Sequence, residues 1–153
     1  PYVLCVMPIY ANADYPAMKR FCEVLLAYQE GYRHFLCGMA QGCDLYFCEA
    51  VLALRERYPE VTVEAAIPCP TQADAWPEAE RDRYRELVAR CDMETMVSDT
   101  YSSTCMQRRD RYMVDHAMLL IAAFDGTAGG TRYTVEYALR RGIEIFDVSI
   151  PTE

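Results

Sequence analysis

Apolar positions recur along the chain in two alternating rhythms. Short, mostly apolar runs read as buried strands: Tyr2 to Met7, His34 to Cys37, Val61 to Ile67 and Met118 to Phe124. Between them, apolar residues return every three or four positions, the mark of one-sided helices. Met18, Phe21, Cys22 and Leu25 do so within Asp14 to Glu30, and Leu45, Cys48 and Leu52 within Asp44 to Arg57, which Pro59 stops. Further helices are predicted from Pro77 to Cys91, Met106 to His116 and Thr131 to Arg141, the last ended by Gly142. Met93 to Ser98 and Ile143 to Val148 complete the strands, although Glu94 and Thr95 make the first of these unusually polar. Such regular strand–helix alternation predicts one α/β domain over residues 1–153. Its sheet is doubly wound and mostly parallel, with about six strands and helices on both faces, because parallel neighbours need crossover connections.

Composition changes this picture little. Hydrophobic residues at 52% and charged residues at 25% are those of a folded globular chain. The apolar run Ala117 to Phe124 is far shorter than a membrane span, and no N-terminal stretch reads as a secretory signal. The net charge of −8 speaks against nucleic acid as a partner, since duplex binding rests on phosphate neutralisation. Arg108, Arg109 and Arg111 form the one dense basic cluster. Eight cysteines include no Cys-x-x-Cys pair, and neither His34 nor His116 stands beside them, so no metal site is expected. They read as reduced, buried thiols of a cytoplasmic protein. Cys69 and Cys105, placed in loops, are the two candidates for reactivity. Homo-oligomerisation is compatible with the Tyr- and Met-rich composition, without a locating feature.

In a parallel α/β sheet, ligands sit outside the carboxyl ends of the strands, so the chemistry is sought in the turns leaving those ends. One such turn is Gly38-Met39-Ala40-Gln41-Gly42, followed at once by a helix carrying Asp44. Glycines let backbone N–H groups approach a ligand, and a helix start favours an anion. Asp44 either caps that helix or holds ribose hydroxyls or a base edge. A second turn, Asp125-Gly126-Thr127-Ala128-Gly129-Gly130-Thr131, has the flexibility and the hydroxyl of a phosphate cradle. Arg109 either clamps a phosphate or belongs to a solvated helix face, where Arg111 and Asp115 would pair at i, i+4. Trp76, the single tryptophan, ends a proline-kinked loop; it stacks on a base or covers the core.

Several of these stretches together resemble the YpsA-like family of the SLOG superfamily. They are Gly31-Tyr32, Phe35 through Asp44, Glu49 to Leu52, Ala66-Ile67-Pro68 with Gln72 and Trp76, Arg83-Tyr84, Arg109 through Asp115, and Asp125-Gly126 with Gly129-Gly130-Thr131. The resemblance implies a Rossmann-like fold and a pocket for a nucleotide-derived ligand. By it, Gly38, Gly42, Asp44, Arg109, Gly126, Gly129, Gly130 and Thr131 become candidate nucleotide- or phosphate-binding residues, with Tyr10, Gln72 and Trp76 as base-stacking or wall residues.

This chain also departs from the family pattern. Where the family's first strand leads into Thr-Gly-His-Arg, this one leads into Met7-Pro8-Ile9-Tyr10; Asp110 and Thr104 replace a usual Asn and Gly. Related phosphoribohydrolases carry Met-x-x-Arg-x-x-x-Met, matched by Met106, Arg109 and Met113, and Gly-Thr-x-x-Glu, where this chain has Thr134. A threonine cannot act as the carboxylate of N-glycosidic cleavage, so no catalytic residue is assigned. The expected role is a binding module for an ADP-ribose-like or nucleoside phosphate ligand, with no cofactor fixed. The alternatives are a hydrolase using Glu49 or Glu136, and a protein-interaction domain without ligand.

Overall fold

A computed structural model gives the backbone of residues 2–6, 17–122 and 129–147, with side chains described for 23–122 and 129–146. Six strands form a single parallel sheet: β1 (Tyr2–Val6), β2 (His34–Cys37), β3 (Thr62–Ile67), β4 (Met93–Met96), β5 (Leu119–Ala122) and β6 (Glu144–Asp147). Their order is β4-β3-β2-β1-β5-β6. The chain first winds outward from β1 to β4 and then starts again on the other side of β1. This reversal makes β1/β5 the switch point at which doubly wound sheets open a crevice.

The helices are α1 (Ala17–Gln29), α2 (Cys43–Arg57), α3 (Glu78–Arg90), α4 (Cys105–Asp115) and α5 (Gly130–Arg140). Because strand side chains alternate between faces, the apolar runs feed two cores. Phe35, Val63, Ala65, Ile67, Leu119 and Ile121 meet Val24, Leu45, Phe47, Val51 and Leu87 on the side of α1, α2 and α3. Leu36, Ala66, Leu120 and Ala122 meet Met113, Val114 and Ala138 on the side of α4 and α5. Burial on both faces explains why β5 reads as an unbroken apolar run and why β2 and β3 are broken only at His34, Thr62 and Glu64. β4 is one of the two edge strands, its Met93, Glu94 and Met96 exposed, and that exposure lets its sequence be polar.

One buried charge ties α4 to the sheet. Glu64 of β3 accepts hydrogen bonds from Tyr112 of α4, from Thr95 Oγ1 at 2.8 Å and from His34 Nε2 at 2.8 Å. Burial pushes its carboxyl pKa up, but these three bonds outweigh burial and leave it below its ordinary 4.5.

Two expectations need correcting. Cys69 and Cys105 are not available for reaction: Cys69 is covered within its loop, and Cys105 is the first residue of α4, with its side chain in the interior. Arg111 does not pair with Asp115. It reaches across to the Tyr133 hydroxyl of α5, and Asp115 takes Tyr137 and Arg141, because α4 and α5 pack side by side. Among the described residues, no helix is long and apolar enough to cross a membrane, and no group of His, Cys, Asp and Glu could hold a metal ion.

Candidate functional site

β2 ends at Cys37, and the chain must turn at once to start α2. Gly38 sits where a Cβ would lie 2.8 Å from Asp44 Oδ2 and 3.2 Å from Arg109 Nη1. A glycine is therefore required for close approach, since no side chain can share that space. Met39 follows in the left-handed region at φ 57°, an uncommon conformation for a bulky residue. Asp44, in the first turn of α2, reaches back to accept from the Ala40 amide at 3.0 Å.

α4 delivers the opposite charge. Arg109 Nη1 donates to the Gly38 carbonyl, and Nε donates to Asp110 Oδ1 at 2.8 Å. Asp44, Arg109 and Asp110 are all over nine-tenths buried. They form a floor of two carboxylates and one guanidinium, each held by hydrogen bonds, as buried charges must be. The formal charge of this floor is one negative.

Above it opens a cavity of about 300 Å³. Gly38, Ala40, Gln41 and Asp44 line it from the β2 turn and α2, and Gln72 and Trp76 from the loop after β3. Met106, Arg109, Asp110 and Met113 line it from α4, and Gly130, Thr131 and Thr134 from α5. Of the residues expected from sequence, Gly38, Asp44, Gln72, Trp76, Arg109, Gly130 and Thr131 thus come together. Gly42 caps α2 outside the cavity lining, and Gly129 lies just before α5, also outside it. Tyr10 and Gly126 fall outside the described residues. Sequence reasoning passed over Ala40 and Gln41 as wall residues. It also read Asp110 as an isolated departure, although a carboxylate directly after the buried arginine was a signal for an ion pair.

The wall formed by α5 differs from the floor. Gly129 takes φ 156°, ψ −168°, a region essentially reserved for glycine. Among the described residues no side chain caps the helix, Gly129 and Gly130 are exposed, and a Cβ on either would meet nothing within 4 Å. The first N–H groups of a helix have no intrahelical partner, and together with the helix dipole they favour an anion.

Trp76 covers part of the core, packing edge-on against Tyr84 with ring centres 5.3 Å apart, and it also lines the cavity. Burial, with Glu94 and Cys69 nearby, pushes the Tyr84 hydroxyl up to about 12, so it stays neutral behind the tryptophan. Thr134 is fully buried and donates to the Gly130 carbonyl at 3.0 Å. Neither carboxylate of the hydrolase alternative lines the cavity. Glu49 is paired with Arg83 at 2.8 Å, and Glu136 with Arg132 at 2.9 Å on the exposed face of α5.

The family model described as the YspA SLOG family (YpsA) matches residues 16–145. The chain belongs to the YpsA family of SLOG proteins. Within this setting, it is 28% identical over 128 residues to the SPbeta prophage-derived protein YoqJ of Bacillus subtilis (strain 168), covering 76% of this chain and 74% of that one. Two solved structures share the YpsA-family fold. DNA processing protein A (DprA) from Streptococcus pneumoniae superimposes with a TM-score of 0.67 at 18% identity, over 100% of this chain and 51% of that one. DprA from Helicobacter pylori, described for its single-stranded DNA binding mode, gives 0.70 at 14% identity, over 99% and 66%. The chain therefore spans about half to two thirds of those DprA chains. The Rossmann-like α/β fold is shared with them.

The H. pylori structure overturns the expectation that net charge sets nucleic acid aside. A protein of this fold binds single-stranded DNA. Physically, net charge averages over the whole surface, whereas single strands are held by local grooves and by stacking of bases on aromatic side chains.

Proposed function

We propose that this YpsA-family domain is a binding module for a nucleotide-derived ligand, such as a nucleoside phosphate or an ADP-ribose-like molecule. The observation that carries this reading is the pairing of two unlike walls across one cavity. The N-terminus of α5, uncapped and unobstructed among the described residues, suits a phosphate, and Trp76, on the loop after β3, offers a ring face or edge to a base. The cavity's 300 Å³ is at the lower end of small-molecule pockets, and it stands at the carboxyl edge where such sheets bind ligands. In this reading Gly130 and Thr131, which line the cavity, hold phosphate. Arg109, Asp44 and Asp110 form a fixed polar floor, where Asp44 and Asp110 accept from ribose hydroxyls. Family membership and the DprA-like fold support a nucleotide- or nucleic-acid-related role.

A second reading is favoured by the H. pylori likeness: the ligand is one nucleotide unit of single-stranded DNA. The two are separated by thermal unfolding with nucleoside phosphates, NAD derivatives, ADP-ribose and a short single-stranded oligonucleotide. A ligand at 100 times its Kd adds about 2.7 kcal/mol, a rise of several degrees in Tm for a domain of this size. A rise with mononucleotides supports the first reading, and one with the oligonucleotide alone supports the second. No rise with any of them contradicts both.

A further inference from the structure

A second cavity, of about 400 Å³, shares no lining residue with the candidate site. Leu119 and Glu144, the first residues of β5 and β6, line it, as do Leu26 and Glu30 at the C-terminal end of α1. It therefore stands toward the amino ends of the strands, whereas the candidate site stands at their carboxyl ends. Side chains alternate along β6, the second edge strand. Ile145 packs with the core under α4 and α5, and Glu144 and Phe146 face the cavity on the α1 side. There Phe146 is 42% exposed and Leu26 49%. Among the described residues, this face of β6 is left open.

The shape and the charge of this face both say what fits it. Parallel sheets bury their two faces, ordinarily under helices, so an open outer strand is a gap in a layer. A helix with its side chains is about 10 Å across, close to two strand spacings, the width of β5 and β6 together. The middle of the face is apolar, with buried Ala27 and Ile121 beneath the exposed Leu26 and Phe146. An exposed apolar patch with a polar rim marks a contact surface. The rim is acidic: Glu30 and Glu144 are exposed, and neither has an ion-pair partner among the described residues. Burial, then Glu144 and Glu30, holds the Tyr32 hydroxyl above its ordinary pKa, so both carboxylates act on the same spot. Glu23 adds a third carboxyl in the wall, and no Lys or Arg lines the groove among the described residues.

We infer that this face docks a basic amphipathic helix of a partner protein. The helix's apolar stripe lies on Leu26 and Phe146 beside α1, and its Lys or Arg side chains pair with Glu30 and Glu144. Charge argues against a second copy of this chain as the occupant, because an isologous contact sets one acidic rim against another. The inference is independent of the nucleotide reading, since the groove and the candidate site lie at opposite ends of the strands.

The test is fluorescence anisotropy with labelled probe peptides of roughly 18 residues, long enough to form a helix, at about 0.15 M salt. One peptide sets Leu at helical spacing among Lys, and a second has Glu for every Lys. A third keeps the Leu–Lys composition but carries central prolines that break the helix. The Leu–Lys peptide is expected to bind, and the other two at least about tenfold more weakly. Phe146→Ala should weaken the Leu–Lys peptide about fivefold or more. Glu30→Lys with Glu144→Lys should turn the preference toward the Leu–Glu peptide. Glu86→Lys with Asp99→Lys changes net charge equally at exposed positions outside the groove, and should leave the preference as it was. No binding of the Leu–Lys peptide overturns the inference, as does equal loss in the two charge-reversed proteins, which marks attraction to net charge alone. Undiminished binding of the proline peptide overturns a helix as the occupant. A dimer in sedimentation that Phe146→Ala abolishes overturns the partner, since a second copy then covers the face. The comparison of peptides on the unmodified protein needs no variant, so it holds whether or not the variants fold.

Discussion

The two glycine-rich turns at the carboxyl edge look alike in sequence and are opposites in structure. In the β2 turn the backbone is already engaged: Arg109 takes the Gly38 carbonyl, Asp44 takes the Ala40 amide, and no room is left for a Cβ at position 38. At the start of α5 the backbone is open among the described residues, with no side-chain cap and free space around Gly129 and Gly130. One turn uses glycine to let the protein's own charges close up, and the other uses it to leave an anion-favouring helix end uncovered. A glycine-rich turn after a strand therefore signals close approach, and the neighbouring helix decides what approaches.

Three substitutions probe that contrast, taken from the largest expected effect downward. Arg109→Leu removes the cation between Asp44 and Asp110 and leaves buried carboxylates uncompensated. A loss of about 3–5 kcal/mol is expected, read as a drop in the urea midpoint with an unchanged slope. A loss under 1 kcal/mol would mean the floor is more solvated than its burial implies. The second is one substitution made at both turns. Gly38→Ala drives a methyl to 2.8 Å from Asp44 Oδ2, and overpacking of this kind costs about 1–3 kcal/mol. Gly130→Ala has open space and a helical backbone, so its stability stays level or rises by a few tenths of a kcal/mol. Equal effects at the two positions would erase the contrast.

The smallest effect concerns Glu64, which supports the helix that carries Arg109. Its folded pKa is lowered by hydrogen bonds from Tyr112, His34 and Thr95 that outweigh burial. A depressed carboxyl stabilises the fold above its unfolded pKa, and that contribution disappears as pH falls through the folded value. Thermal melts should therefore lose stability on acidification below about pH 4.5, the ordinary value. Glu64→Gln should flatten that limb. An acid limb of unchanged steepness in the variant would place the titration elsewhere.

The fold was legible because both of its rhythms are simple. Strands buried on two faces leave apolar runs such as Leu119–Ala122, and one-sided helices leave spaced ones such as Leu45, Cys48 and Leu52. The strand order was not legible, since β1 pairs with β5 across more than 110 residues and no local pattern encodes that choice. The cavity lining was legible at Gly38, Gly130, Arg109 and Trp76, but not at Gly42 and Gly129, which stand outside it. Its inner chemistry was legible only in part. Asp44 and Gln72 stood among the candidates, but their partners, the Ala40 amide and the Met39 carbonyl, and the pairing of Asp110 with Arg109 are brought about by the fold. The charge argument failed for a related reason: a sum over the chain says nothing about where charges stand.

The chain holds one tryptophan, and it lines the cavity. Its fluorescence is therefore a direct reporter of the site, and titration with AMP tests the central claim that the open helix end and the Trp76 loop form one nucleotide site. A saturable change in Trp76 emission is expected in the unmodified protein. In Gly130→Asp it should be absent while Tm is kept, because an added carboxylate fits the space and suits the helix end but repels phosphate. A Tm rise on adding AMP with no change in Trp76 emission, or an undiminished change in Gly130→Asp, would contradict the account.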